Sequence, residues 1–214
     1  YSDLFSCIRY LGQTDPPASI KKNHEFLEYI RTAMEASQNV NDKAELYDQY
    51  KRALFYSAPY VFDDYLLAVE FDRPLEKKFY QPRRHYLRPM VQGYQDILDG
   101  KLDLLTLSLP KRAGKSQVGI NFALMLSGRN PDRASLMEGA GDDLITSFYK
   151  GCLEYLMDTE NYHFYDIFPD APIIETNAKL KTINLQRKKR FPTIMCRSID
   201  ASQVGLSEAT NLLY

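Results

Sequence analysis

The chain has 214 residues, 44% hydrophobic and 26% charged, with a net charge of −1 and a pI near 6.4. So even a balance excludes a globally basic nucleic-acid binder, and any polyanion contact must rest on local basic clusters. No apolar run reaches the ~20 residues of a bilayer span. Three cysteines, Cys7, Cys152 and Cys196, in no metal-ligand spacing fit a reducing, cytoplasmic setting.

Residues 1–20 carry a short helical patch (Leu4, Phe5, Ile8, Leu11) and a break at Asp15-Pro16-Pro17. From Ser19 onward Phe26, Leu27, Ile30, Ala33 and Met34 recur at helical spacing. Residues 39–42 read as a turn. A second helix covers 43–57, with Leu46, Tyr47, Tyr50, Leu54 and Phe55 on one side. Pro59 interrupts, and a third helix is expected over 61–70. These stripes read as core, with a docking surface for a partner subunit as the alternative. Residues 1–76 thus form a helical N-terminal subdomain or arm, and 77–214 a second part.

Pro74 and Glu76-Lys77-Lys78 mark the junction. The stretch Phe79-Tyr80-Gln81-Pro82-Arg83-Arg84-His85-Tyr86 then leads into a helix over 87–98, closed by Asp99-Gly100. Flat groups (Tyr80, Arg83, Arg84, Tyr86) and the Gln81 amide are suited to stack on and hydrogen-bond an adenine. The plain alternative is a solvated helix entry with Arg84 and Arg88 facing water.

Residues 104–125, LLTLSLPKRAGKSQVGINFALM, organise the rest. They read as a buried strand (104–109), a loop (Pro110-Lys111-Arg112-Ala113-Gly114) and a helix from Lys115-Ser116 carrying Val118, Ile120, Phe122, Ala123 and Met125. In that setting a GK[ST] triplet marks a phosphate-binding loop. Pro110, Ala113, Gly114, Lys115, Ser116 and Gln117 form the cradle, where loop and helix-start N–H groups meet phosphate oxygens. Lys115 reaches the outer phosphates, and the Ser116 hydroxyl ligates Mg²⁺. Leu109 stands where the usual pattern has its first Gly. The alternative is an exposed turn with a helix-capping Ser.

Beyond it, residues 127–131 form a turn and 134–139 a strand. A helix follows over 142–157, which Asp142 suits as N-cap. Asp142 and Asp143 read as capping carboxylates rather than metal ligands. Residues 158–172 are an aromatic, polar connection, and Ile173-Ile174 a short strand. Residues 182–185 and 192–196 form a hairpin. Its tip, Gln186-Arg187-Lys188-Lys189-Arg190-Phe191, is either a solvated turn or a contact for a polyanion or a neighbouring subunit's nucleotide. A small-residue segment over 198–209 feeds a last strand, Leu212-Leu213-Tyr214.

Phosphoryl transfer needs Mg²⁺ with a carboxylate partner, a group that positions water, and positive charge for the transition state. Arg112 or Lys111 is the cation available in cis. The carboxylate is expected after a buried strand, which points beyond Tyr214. Leu66–Glu70 also ends in a carboxylate, but it precedes the loop and reads as helix.

The order of YQPRRHY, the Asp-Gly helix end, LLTLSLPKRAGKS, ASLMEGAGDDLITSFYKGCLEYL, a hairpin and LLY resembles the ATPase part of the large terminase subunit, the DNA-packaging motor of tailed bacteriophages. The resemblance covers about residues 77–214. It is most specific at Pro110–Ser116, because that family often carries Pro and Arg/Lys just before GK[ST]. It implies an α/β P-loop NTPase core, a mainly parallel sheet flanked by helices, with Lys115 and Ser116 on ATP and Mg²⁺. Arg112 or Lys111 would be the catalytic cation, and residues 80–84 would lie at the adenine. It further implies contact with the phosphate backbone of double-stranded DNA, a portal protein, a small terminase subunit and further copies of the chain, with no membrane partner. The family's acidic pair and nuclease domain would follow Tyr214, so hydrolysis by these 214 residues alone would be impaired. A helicase-like ATPase, a small-molecule kinase and a degenerate nucleotide-binding docking module are the competing readings.

Overall fold

The computed structural model describes residues 1–199 and 209–213. Helix α1 (Ser2–Thr14) ends at Asp15, which at once caps α2 (Pro16–Ala36) by accepting from the Ala18 N–H at 3.1 Å. Pro16 takes the first helical position, where no N–H is needed. The Asp-Pro-Pro break is therefore a joint between two helices. Asn39 likewise caps α3 (Val40–Ser57) through the Asn41 N–H at 2.9 Å, so that helix begins ahead of the expected residue 43. After α4 (Phe62–Ala68) come two short 3-10 turns, Leu75–Lys77 and Gln81–Arg83, and then α5 (Arg84–Leu98).

The second part contains α6 (Lys115–Arg129), β1 (Ala134–Gly139), α7 (Asp142–Met157), α8 (Phe164–Ile167), β2 (Ile173–Asn177), β3 (Thr182–Leu185), β4 (Ile194–Ser198) and β5 (Ala209–Leu213). The strands form one sheet in the order β2-β3-β4-β1-β5. Strand β1 pairs in parallel with β4 (Met137 opposite Cys196) and with β5 (Leu136 opposite Leu212). The ladders β2–β3 and β3–β4 are antiparallel, because short turns rather than crossovers join those strands. The fold is thus α/β with a mixed sheet. The short strand expected at Ile173-Ile174 extends to five residues as the outer member of this meander.

All six residues of β1 are buried, as befits a strand flanked on both sides. Alternation sorts the strands' side chains between two faces. Met137, Ile194 and Cys196 join the main core, while Ala134, Leu136 and Met195 form a small second cluster against Phe191. Helices α6 and α7 pack on each other and on β1. The main core runs without interruption from Ile8 to Cys196. Fully buried Phe62 touches both Tyr94 (5.6 Å) and Phe122 (5.2 Å), and burying such a ring contributes about 1.5–3 kcal/mol. Buried residues of the first 76 positions therefore lie in one cluster with those of the sheet part.

One expected element is absent. Residues 103–109 form no ladder, and Leu104 is 79% exposed. Leu105, Leu107 and Leu109 alternate as half-buried positions, and Leu105 packs against Gly93 of α5. The pattern is that of a strand, but the two neighbours of β1 are β4 and β5, and the segment pairs with neither edge strand of the sheet. Among the described residues no helix is long and apolar enough to cross a membrane. All three cysteines are free, with Cys7 exposed and Cys152 and Cys196 buried. Most of the small-residue segment, residues 200–208, and Tyr214 lie outside the described residues.

Candidate functional site

The chain enters α6 through a tight loop. The Ala113 N–H donates to the Pro110 carbonyl at 3.3 Å, closing the first turn. Arg112 (φ 65°) and Gly114 (φ 98°) are both left-handed on either side of Ala113. Gly114 takes this shape at no steric cost, whereas Arg112 stores about 1–2 kcal/mol of strain. Strain of this kind is concentrated at ligand clamps. The first intrahelical bond runs from the Val118 N–H to the Gly114 carbonyl at 3.0 Å. The N–H groups of Lys115, Ser116 and Gln117 consequently have no acceptor among the described residues, and no side chain caps the helix. Three free donors at a positive helix end make an anion cradle.

Cations surround it. Lys115 is half-buried, and its Nζ donates to the Leu109 carbonyl at 2.7 Å, which places the ammonium across the loop. Lys111 and Arg112 are exposed and form no ion pair among the described residues. The Ser116 hydroxyl is exposed at the first turn of α6. No group of three His, Cys, Asp or Glu suited to a metal occurs among the described residues. The local donors nevertheless fit Mg²⁺, which is commonly held by one or two protein groups plus the phosphates of its nucleotide.

Gln117 lies apart from the cradle. Its Nε2 donates to the Tyr155 hydroxyl at 2.9 Å, which ties α6 to α7. The Tyr155 and Tyr162 rings lie 4.1 Å apart, and Tyr162 donates to Glu154 and accepts from Arg73. The Gln117 side chain is therefore part of interhelical packing, and only its backbone N–H faces the loop.

The basic-aromatic stretch divides three ways. Tyr80 is not a stacking platform. It is 0% exposed, and its hydroxyl donates to Asp63, which also pairs with Arg84 (Nε to Oδ1, 3.1 Å). Burial and the Asp63 bond push the Tyr80 hydroxyl's pKa well up. Burial also acts to raise the Asp63 carboxyl, but the Arg84 and Tyr80 hydrogen bonds outweigh it and hold the carboxyl below its usual value. Gln81 and Arg84 line a cavity of about 540 Å³ between α2, α3, α4 and α5, with Arg31, Tyr50, Asp64 and Arg88; no loop residue reaches it. The loop's actual neighbour is Phe79. A Cβ on Gly114 would stand 2.9 Å from Phe79 Cζ. Arg83 secures that ring, its guanidinium 5.5 Å from the ring centroid and its Nη1 donating to the Phe79 carbonyl at 2.9 Å. Of the proposed base contacts, Arg83 reaches the loop's surroundings through Phe79, and Leu87 of α5 also stands 3.8 Å from a Cβ on Gly114.

Geometry bears on two other expectations. Gly141, not Asp142, is the N-cap of α7; Asp142 and Asp143 sit in its first turn, where they favour the helix dipole without a capping bond. At the hairpin tip, Arg187 pairs with Asp132 (2.6 Å), Lys188 with Glu175 (2.8 Å), and Lys189 donates to the Pro131 carbonyl. Arg190 lies over the Phe191 ring at 5.3 Å. Arg187 and Lys189 thus tie the tip to the turn before β1 and Lys188 ties it to β2, while Arg187, Lys188 and Arg190 stay exposed. No family model, curated protein or solved structure matches the chain.

Proposed function

We propose that the chain binds ATP with Mg²⁺ at the start of α6, and that it is the ATPase part of a terminase-like motor that drives double-stranded DNA into a procapsid. The observation that carries the nucleotide reading is the loop itself. Two left-handed residues turn the chain into a helix whose first three N–H groups have no acceptor among the described residues, with Lys115 across the loop and Lys111 and Arg112 exposed beside it. The helix-start N–H groups and the Lys115 ammonium hold the outer phosphates. Ser116 is the protein ligand to Mg²⁺, which when bound neutralises phosphate charge. Arg112, exposed beside the cradle, is the cation in cis for the charge that develops during phosphoryl transfer.

The motor reading rests on the Pro-Lys-Arg lead-in before GKS and on the arrangement of the segments around it. In such a motor the DNA contact is to the backbone, and portal, small subunit and further copies are the partners. A helicase-like ATPase or a small-molecule kinase uses the same cradle. The test is a titration of the chain with a fluorescent ATP analogue in Mg²⁺. Lys115→Ala should lose binding by at least tenfold, whereas Arg112→Ala should retain binding and, in a hydrolysis-competent protein, lower turnover by about 10²–10³. Wild-type binding no tighter than that of Lys115→Ala would remove the nucleotide reading and the motor with it.

A further inference from the structure

We propose that Glu70 is a positioning residue of the phosphate loop, acting through Phe79. This rests on the nucleotide reading of the loop but begins from a separate observation. Glu70 lies just after α4 and is 2% exposed. Its carboxylate accepts the Phe79 N–H on both oxygens (3.1 and 2.8 Å) and the Tyr80 N–H on one (3.1 Å). Neither N–H has a backbone acceptor, so one buried side chain sets the chain's path at residues 79–80. The Phe79 ring emerges from that turn and meets Gly114 edge-on. Arg83 fixes the same residue from the other side, at its carbonyl and its ring face. Phe79 is thus held at its N–H, its carbonyl and its ring, and the surface it presents is the wall of the loop.

A carboxylate is a costly way to fill such a place. Burial raises its pKa, opposed by the Tyr80 and Phe79 N–H groups and by the charges of Arg73 and Lys78. The Arg73 guanidinium stands 3.7 Å away, too far for a tight pair. Glutamine would fill the same volume but would turn an amide donor toward one of the two N–H groups. Oε2 alone accepts both N–H groups, so what the carboxylate adds over an amide is its charge and a second acceptor, Oε1, on the Phe79 N–H. Its hydrogen bonds and ion pair go to Phe79, Tyr80 and Arg73, so the path from Glu70 to the loop runs through Phe79.

The test uses Glu70→Gln and Phe79→Leu, with amide exchange of Ala113, whose N–H closes the loop's turn onto the Pro110 carbonyl, and ATP-analogue affinity as separate readouts. Glu70→Gln should stay folded, speed exchange in the loop by about tenfold and weaken nucleotide binding by about tenfold, the scale of one hydrogen bond to a charged group. Phe79→Leu, which keeps Glu70 and its acceptors, should act in the same direction, and the double variant should lose no more than the worse single. A folded Glu70→Gln protein with wild-type loop exchange overturns the proposal. If that variant fails to fold, Phe79→Leu decides alone, and wild-type exchange and affinity in it overturn the proposal equally. Failure of the nucleotide reading shows differently, as a wild-type chain that binds no ATP while the exchange readout still responds to Glu70.

Discussion

Gly114 is the position where sequence, backbone and packing can be tested with one methyl group. In Gly114→Ala the new Cβ must adopt φ near 98°, which costs an L-residue about 1–2 kcal/mol. It would also stand 2.9 Å from Cζ and 3.1 Å from Cε2 of Phe79, well inside the ~3.5–4.0 Å of an ordinary carbon contact. Forcing the ring aside adds about 1–3 kcal/mol, the usual range for overpacking. The sum is about 2–5 kcal/mol. At roughly 2–4 °C per kcal/mol for a chain this long, thermal unfolding should fall by at least about 4 °C. The assay is calorimetry or circular dichroism on the four proteins of a double-mutant cycle. In a Phe79→Ala background the steric part disappears, and Gly114→Ala should cost only the backbone part, about 1–2 kcal/mol. Additive losses in the double variant, or a single variant that melts within about 1 °C of wild type, would refute the Phe79–Gly114 contact.

The His24–Asp64 pair (2.7 Å) makes stability depend on pH. The Asp64 hydrogen bond raises the His24 imidazole above its ordinary 6.5, against the opposing effect of burial. A folded pKa above the unfolded one stabilises fully below pH 6.5, and that contribution is lost as pH rises through the folded value. Melting temperature should therefore decline from pH 6.5 upward, and Asp64→Asn should flatten the decline; an unchanged slope in that variant would remove His24 as its cause. Thiol titration gives an independent check of the core. Burial pushes the Cys196 thiol up to about 12 and that of Cys152 well above its ordinary value, so one thiol, Cys7, should react in the native protein and three after denaturation.

Local signals were legible in the residues, and partnerships across the chain were not. The start of α6 at Lys115 follows from Gly-Lys-Ser after a loop, and the N-terminal helices follow from apolar spacing and from Asp and Asn caps. The segment 104–109 shows the limit. Its alternating leucines are a strand's pattern, yet a strand exists only with a paired neighbour, and pairing is a property of the whole sheet. Tyr80 shows it again. An aromatic ring between basic residues fits a base-stacking role, but Asp63, 17 positions earlier, draws it into the core. Arg187 and Lys188 are paired with Asp132 and Glu175, and Lys189 donates to the Pro131 carbonyl, partners brought close by the sheet. Phe79 carried no chemical motif. Its one signal was Gly114, a residue whose missing side chain implies that something stands close by.

The contacts around the loop close on themselves: Gly114 to Phe79, Phe79 to Glu70, Glu70 to Arg73, Arg73 to Tyr162, Tyr162 to Tyr155, and Tyr155 back to Gln117. Its hydrogen-bonded links span 9, 89 and 38 residues of chain. Each span carries a loop-closure entropy that must be met before its contact gives anything back, and long spans slow folding. A loop of seven residues, 110–116, thus depends for its shape on segments from residue 70 to residue 162. Its helix can form early and locally, but the loop at its head takes its final shape only when α4, α7 and residues 158–163 have met, so the loop's geometry matures last.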